Sequence, residues 1–393
     1  EPRMSAIRIR KSRPTGGKDT TTHTKMQHDS TSNDTFTTDM PIISAAIARL
    51  RLPLIIGVVL IHCNVPELLR AWNGNQPDTS LWTTNAIGSI SLLLDRTVTS
   101  VFFFISGFLF FLNTNGFTLS QYKEKLRRRV ATLLVPYILW NIVFFVLHSA
   151  KSILAAPSDC TTTDAIALLR TFPSAFWNYA DLCPADLPLW FVRDLIVVAL
   201  FTPLIHAFAK GRRAFIFIPL LFAWLWLLPQ WRAVGVNPQA FLYFSLGAAF
   251  TLNRLSPVPK SSIVTAGAAA VLTATAIFCV PLFGSPYDEA VRLATVGAML
   301  AAGFGTLSRA KGTHIGKNCR ILSDKVFFIY AAHALFAGTT VRLLSTAIPV
   351  SCNSGMAAVY VLSPLIIITA TLLLHRLISL VSPQIANVLN GKR

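Results

Sequence analysis

The chain has 393 residues, 53% of them hydrophobic and only 13% charged, against about 25% charged in a typical soluble domain. That deficit excludes an ordinary water-soluble fold, because so much apolar surface cannot all be hidden from water, and it makes lipid the solvent. The net charge of +18 does not point to a nucleic-acid partner, since the basic residues fall in short clusters between apolar runs, as a bilayer sorts them.

In chain order, residues 1–40 come first, rich in Ser and Thr, basic near their start and poor in aromatics. They predict a disordered cytoplasmic tail, and without an apolar core they do not form a secretory signal peptide. Ten apolar runs follow, at 50–68, 97–113, 130–149, 188–208, 214–230, 234–252, 262–283, 288–306, 324–346 and 355–381. Most approach the ~20 residues that span hydrocarbon. The expected fold is all-α: a polytopic membrane domain of ten transmembrane helices over 41–383, then a short cytoplasmic tail over 384–393. An apolar stretch at 86–94 precedes the second run and is cut from it by Asp95-Arg96; it is expected to be an interfacial or re-entrant piece. When loops are assigned to alternate sides, 27 of the 35 Lys and Arg fall on one side. The positive-inside rule makes that side cytoplasmic, with both termini on it (N-in/C-in) and the chain in the plasma membrane.

Cys160 and Cys183 share the long external loop 150–187, where a disulfide would form if that compartment oxidises. The chain carries no nucleotide-binding glycine loop, no HExxH and no GxSxG. No metal and no permanently bound cofactor is therefore expected.

Ionisable groups inside a span are costly, so each is a functional candidate. The first span reads Arg51-LPLIIGVVLI-His62. Eleven residues make three turns plus about 20°, so the two side chains share one helix face about 16 Å apart along the axis. Alone, Arg51 reads as a topology anchor and His62 as an interhelical hydrogen-bonder; the shared face is what favours a joint role. Ser106-Gly107 in the second span is either a notch for close helix packing or a polar group near mid-membrane. In the ninth, Tyr330 and His333 are three apart on one face. Residue counts from the expected span ends put His62, Ser106 and His333 at similar depth, consistent with one polar cavity. Trp190, Arg193 and Asp194 open the fourth span, as an aromatic belt beside an ion pair or as a binding face. The basic run Lys123–Arg129, which contains Lys125, Arg128 and Arg129, is either a stop signal or a seat for a polyphosphorylated ligand at a cavity mouth.

With these residues in place, the sequence resembles the acyltransferase family 3 membrane O-acyltransferases, which modify bacterial surface and secreted polysaccharides. The matching pieces are Arg51-x10-His62, FFFISGFLFF at 102–111, the basic run ending in LLVPYILW at 133–140, PLWFVRD at 188–194 and SDKVFFIYAAH at 323–333. They occur in the family's order. The resemblance implies a ten-helix bacterial inner-membrane protein that moves an acyl group, acetyl being the expected one, from cytoplasmic acyl-CoA (acetyl-CoA) as co-substrate to a sugar hydroxyl. It carries the catalytic histidine over to His62 and its paired basic residue to Arg51, and it implies a stand-alone form without a fused hydrolase domain. One feature departs from the family: Leu133 stands where many members end an RxxR pattern, and the nearest equivalent here is Lys125-x-x-Arg128.

On this reading His62 acts either as general base towards the acceptor hydroxyl or as an acyl relay, and the sequence leaves both open. Arg51, with Lys125, Arg128 and Arg129, would hold coenzyme A phosphates. Ser106 or Tyr330 would face the thioester oxyanion, beside His333, while Trp190, Arg193 and Asp194 would take the saccharide or lipid-linked sugar. The rival reading is a transporter or flippase for a polysaccharide or lipid-linked sugar, which explains the helices and a polar cavity equally well. The two related halves common in such carriers are not visible in the sequence.

Overall fold

The computed structural model describes residues 20–74, 80–112, 117–155, 170–177, 183–227, 236–279, 287–310 and 322–392. The described residues contain no β-strand, as expected where lipid leaves each backbone N–H and C=O to be satisfied within its own helix. The helices in chain order are α1 (Thr20–Ile61), α2 (Val65–Asn73), α3 (Trp82–Phe111), α4 (Leu119–Arg129) and α5 (Val135–Ala155), then α6 (Trp190–Leu200), α7 (Thr202–Ala209), α8 (Ala214–Leu227), α9 (Pro238–Leu252) and α10 (Ser262–Ala274). They are followed by α11 (Asp288–Arg309), α12 (Val326–Ala347), α13 (Asn353–Val381) and α14 (Pro383–Leu389).

Among the described residues six stretches of helix are long and apolar enough to cross a membrane: 39–72, 82–111, 119–151, 288–309, 323–347 and 353–381. The number becomes seven if α6 and α7, bent by 67° at their junction, form one span. Pro203 sits at the start of α7, and a ring there removes a backbone donor and breaks the helical ladder. Ten spans are expected from the sequence; the described residues establish these six or seven by length. The runs at 214–230, 234–252 and 262–283 are helical where described: α9 has 15 residues, and the described parts of the other two cover 214–227 and 262–279.

One expectation is overturned. Residues 86–94 are not a separate re-entrant piece, because α3 runs through them and through Asp95-Arg96 as a single helix of 30 residues. The charge that reads as a break is neutralised in the bundle, where Arg96 Nη1 lies 3.0 Å from Asp288 Oδ2 on α11.

The apolar stretches of α1 and α3 are 61% and 56% buried, against 22% for the α4–α5 stretch and 33% for α13. The first pair therefore forms the centre and the second faces lipid. α1 and α3 run antiparallel: Phe36 packs on Phe108 at one end, while Gly57 faces Leu94 and Val98. α3 also crosses α9 at a pair of glycines. A Cβ on Gly107 would collide with the Phe244 carbonyl, and one on Gly247 with the Phe104 carbonyl, so the two backbones touch directly. The packing role read for Ser106-Gly107 thus belongs to the glycine.

The basic segments among the described residues gather at one end of the bundle. Arg49 Nη1 donates to Leu307 O (2.7 Å), Arg309 Nη1 to Thr265 Oγ1 (3.0 Å), and Asn253 Nδ2 to Ala209 O (3.0 Å) beside Gly211. Lys392 Nζ lies 3.3 Å from Asp324 Oδ2 at the same end. The backbone of 20–40 is helical and continuous with the first span; residues 1–19 lie outside the described residues. The segment expected as a C-terminal tail contains most of α14, which is fastened to α5 by Trp140 Nε1 donating to Leu389 O (3.0 Å).

Candidate functional site

A cavity of about 390 Å³ lies at the basic end, within the ~300–1,000 Å³ range of small-molecule sites. Its α1 wall is Arg51, Ile55 and Val58, spaced i, i+4, i+7 on a single helix stripe. The α12 wall is Val326, Phe327 and Tyr330, and Thr99 and Phe102 of α3 with Phe191, Val192 and Leu195 of α6 supply further apolar surface. The floor is polar: Thr132 from the π-helical turn Val130–Leu134, Ser323 and Asp324 before α12, and Asn390, Gly391 and Lys392 after α14. Among the described residues no hydrogen bond or ion pair holds the Arg51 guanidinium. The acid that acts on it through space is Asp324.

One turn beyond Val58, the same α1 stripe reaches His62. Its ring centroid lies 4.9 Å from that of His333 on α12, with the planes tilted by 52°. His333 is completely buried. Its Nδ1 lies 2.6 Å from the Tyr330 carbonyl, and since a carbonyl only accepts, Nδ1 carries the proton and Nε2 is the acceptor of the neutral ring. No partner for Nε2 is found among the described residues. Tyr330, which closes the cavity on the α12 side, has its ring 6.2 Å from His333 and donates its hydroxyl to the Pro188 carbonyl. The lined cavity therefore ends at Val58 and Tyr330, and the histidine pair stands directly behind them.

Other expected site residues fall elsewhere. Ser106 does not join the histidines. Because α3 begins at Trp82 rather than near 97, Ser106 lies towards the basic end. Counting from the Gly57–Val98 contact at 1.5 Å per residue places it about 20 Å from His62 along the axis. Lys125 and Arg129 pack over the Phe110 ring, each 5.1 Å from its centroid, and Lys125 also donates to the Phe110 carbonyl. Arg128 pairs with Glu124 on the exposed face of α4. None of the three lines the cavity, although Thr132 and Leu133 do.

The opposite end is built differently. Arg193 and Asp194 are 4% and 0% exposed and bonded to each other, with Arg193 Nη2 3.0 Å from Asp194 Oδ1. Arg193 also stacks over Trp177 at 5.0 Å, a platform the sequence did not suggest because the two are sixteen residues apart across a loop. Trp190, half-buried, meets Phe191 edge-on. Asp194 Oδ2 accepts from the Asn237 backbone (2.8 Å), the Asn237 side chain reaches Gln239, and Gln239 Nε2 donates to Glu289 Oε1 (2.6 Å). Glu289, Arg292 and Asp288 continue to Arg96, so one polar chain links α6, α9, α11 and α3. Beside it Asp186 is fully buried, and neither carboxylate oxygen has a partner among the described residues. Burial pushes that carboxyl well above the usual carboxylate range. The disulfide considered for Cys160 and Cys183 is not described, because Cys160 lies outside the described residues.

Residues 45–376 match the family described as an acyltransferase domain. The chain is also 23% identical over 360 residues to the succinoglycan biosynthesis protein ExoH of Rhizobium meliloti (strain 1021), an alignment covering 89% of this chain and 93% of that protein. No solved structure matches it.

Proposed function

The chain belongs to this acyltransferase family, and from that premise we propose that it is a membrane O-acyltransferase carrying an acyl group, acetyl in the simplest case, from acyl-CoA to a hydroxyl of a polysaccharide or lipid-linked sugar. The observation that carries the reading is the α1 stripe: Arg51 lining a ligand-sized cavity with no bonded partner among the described residues, Ile55 and Val58 along the same wall, and His62 against His333 one turn beyond the cavity's inner end. A guanidinium suits phosphate oxygens, and an apolar channel suits the thin pantetheine arm. The basic clusters share the cavity's end, which by the positive-inside rule supports a cytoplasmic mouth and an enzyme of the bacterial inner membrane with both termini inside. Lys125, Arg128 and Arg129 add long-range attraction for a polyanion at that end.

In the direct mechanism the acceptor oxygen attacks the thioester carbonyl carbon. The new C–O bond forms as the C–S bond breaks. His62 takes the hydroxyl proton and returns it to the departing sulfur, and both histidines end as they began. His333, its Nδ1 proton fixed by Tyr330, orients the His62 ring. In the relay variant His62 is itself acylated before the sugar attacks. Trp190 is the platform for the sugar ring, and the Arg193–Asp194 pair forms the wall behind it. The relative named for succinoglycan biosynthesis supports a polysaccharide acceptor.

The test is transfer from labelled acetyl-CoA to a saccharide acceptor by the purified protein. His62→Ala is expected to lose about 100-fold or more of the rate at unchanged melting temperature. Transport of a sugar with no coenzyme A dependence would contradict the reading. Orientation has its own check: Cys352 is exposed before α13, at the end away from Arg51, and a membrane-impermeant maleimide is expected to label it from outside intact cells.

A further inference from the structure

The floor of the cavity is completed by residues 390–392, a segment that the sequence presents only as a tail. Three contacts fix its path. Asn390 Nδ2 donates to the Asp324 carbonyl (2.7 Å), and its Oδ1 accepts from the Phe328 backbone (3.1 Å), so one side chain joins the segment to the start of α12. Asn390 is 5% exposed, and a buried amide with both its groups engaged holds one geometry. Gly391 adopts a left-handed backbone, φ 66°. A Cβ there would stand 2.5 Å from the Thr132 carbonyl, so only glycine lets the segment press against the π-helical turn. With those two residues set, Lys392 emerges at the cavity mouth, 3.3 Å from the Asp324 carboxylate, on the same lining as Arg51.

We propose that Lys392 is a second phosphate-binding cation of the donor site, held ready by Asp324, which an entering polyphosphate displaces. The inference rests on the acyl-CoA reading above and adds a residue to it. Coenzyme A carries a pyrophosphate and a 3′-phosphate, more negative charge than one guanidinium can balance. Of the basic run, Lys125 and Arg129 are turned towards Phe110 and Arg128 towards Glu124. Among the described residues the cationic side chains lining the cavity are Arg51 and Lys392. The Lys392–Asp324 pair is solvent-accessible, with side chains 42% and 75% exposed. Exposed pairs of this kind contribute little to stability, so exchanging Asp324 for phosphate oxygens costs little, and charge-assisted bonds to phosphate are stronger.

The experiment is a steady-state titration of the full-length protein with acetyl-CoA and with acetyl-pantetheine, which has no phosphate. Lys392→Ala is expected to raise the KM for acetyl-CoA about tenfold with kcat within about twofold, Lys392→Arg to restore most of it, and Lys392→Glu to exceed the alanine effect. Asp324→Asn is expected to lower that KM several-fold, a gain that shrinks in the Lys392→Ala background because the cation it releases is gone. With acetyl-pantetheine the Lys392 variants should match the wild type. Unchanged KM for acetyl-CoA, or an equal defect with acetyl-pantetheine, overturns the proposal while leaving the donor reading intact. A wild-type protein that transfers nothing from acetyl-CoA removes both.

Discussion

The two ends of the bundle use the same residue types for opposite purposes. At one end Arg51 faces open volume with no bonded partner among the described residues, and the nearby Lys392–Asp324 pair is wet. At the other, Arg193, Asp194, Glu289, Arg292, Asp288 and Arg96 close on one another in packed protein. A charge taken out of water needs a partner or it is expelled. Where the protein itself supplies the partner, the charge ties helices together; where it leaves the partner out but keeps room, the charge waits for a ligand. The contrast is between joint and receptor, and burial alone does not distinguish them.

The comparison can be broken by deleting matched residues. Arg193→Ala leaves Asp194 buried without its cation and is expected to cost about 3–5 kcal/mol of stability, seen as a large drop in melting temperature in detergent or nanodisc. Arg51→Ala is expected to leave the melting temperature nearly unchanged and to raise the acyl-CoA KM about tenfold, the contribution of a charge-assisted phosphate contact. Equal losses of stability in both variants would erase the distinction.

Asp186 sharpens it further, as an acid at the closed end for which no partner is found among the described residues. Its folded-state affinity for a proton is raised by burial, so its contribution to stability is fully present below the ordinary carboxylate pKa and is lost as pH rises towards the folded value. Asp186→Asn cannot ionise. Its stability relative to the wild type is expected to grow as pH is raised from about 4, by no more than about 1.4 kcal/mol per pH unit, and a difference that stays flat with pH would show that the wild-type carboxyl does not titrate on unfolding.

The sequence made the α1 stripe legible because eleven residues bring Arg51 and His62 to one face by helix geometry alone, and Tyr330 and His333 follow from spacing within one helix in the same way. That α1 and α12 bring the two histidines to ring contact was read only as a shared depth, since no local pattern encodes which helices meet. The depth of Ser106 counted from the sequence differs from its place in the fold for the same reason that 86–94 reads as a separate piece. Arg96 looks like the end of a hydrophobic run until Asp288, 192 residues away, neutralises it, and moving the helix start to Trp82 shifts every depth counted from it. The runs near 214–252 are long enough by hydropathy, and they are helical where described, as α8 and α9. Lys392 was legible only as a charge near the end of the chain. Its place at the cavity depends on what Asn390 and Gly391 touch across the fold, and a single sequence does not carry that information.

The most direct test of the account is a cryo-electron microscopy map of the protein bound to a non-hydrolysable thioether analogue of acetyl-CoA. The account predicts phosphate density against Arg51, the pantetheine arm along Ile55 and Val58, and the sulfur within hydrogen-bonding reach of His62 beside His333. Ligand density outside the cavity, or a chain that stops at Tyr330 with the histidines sealed off behind it, would contradict it.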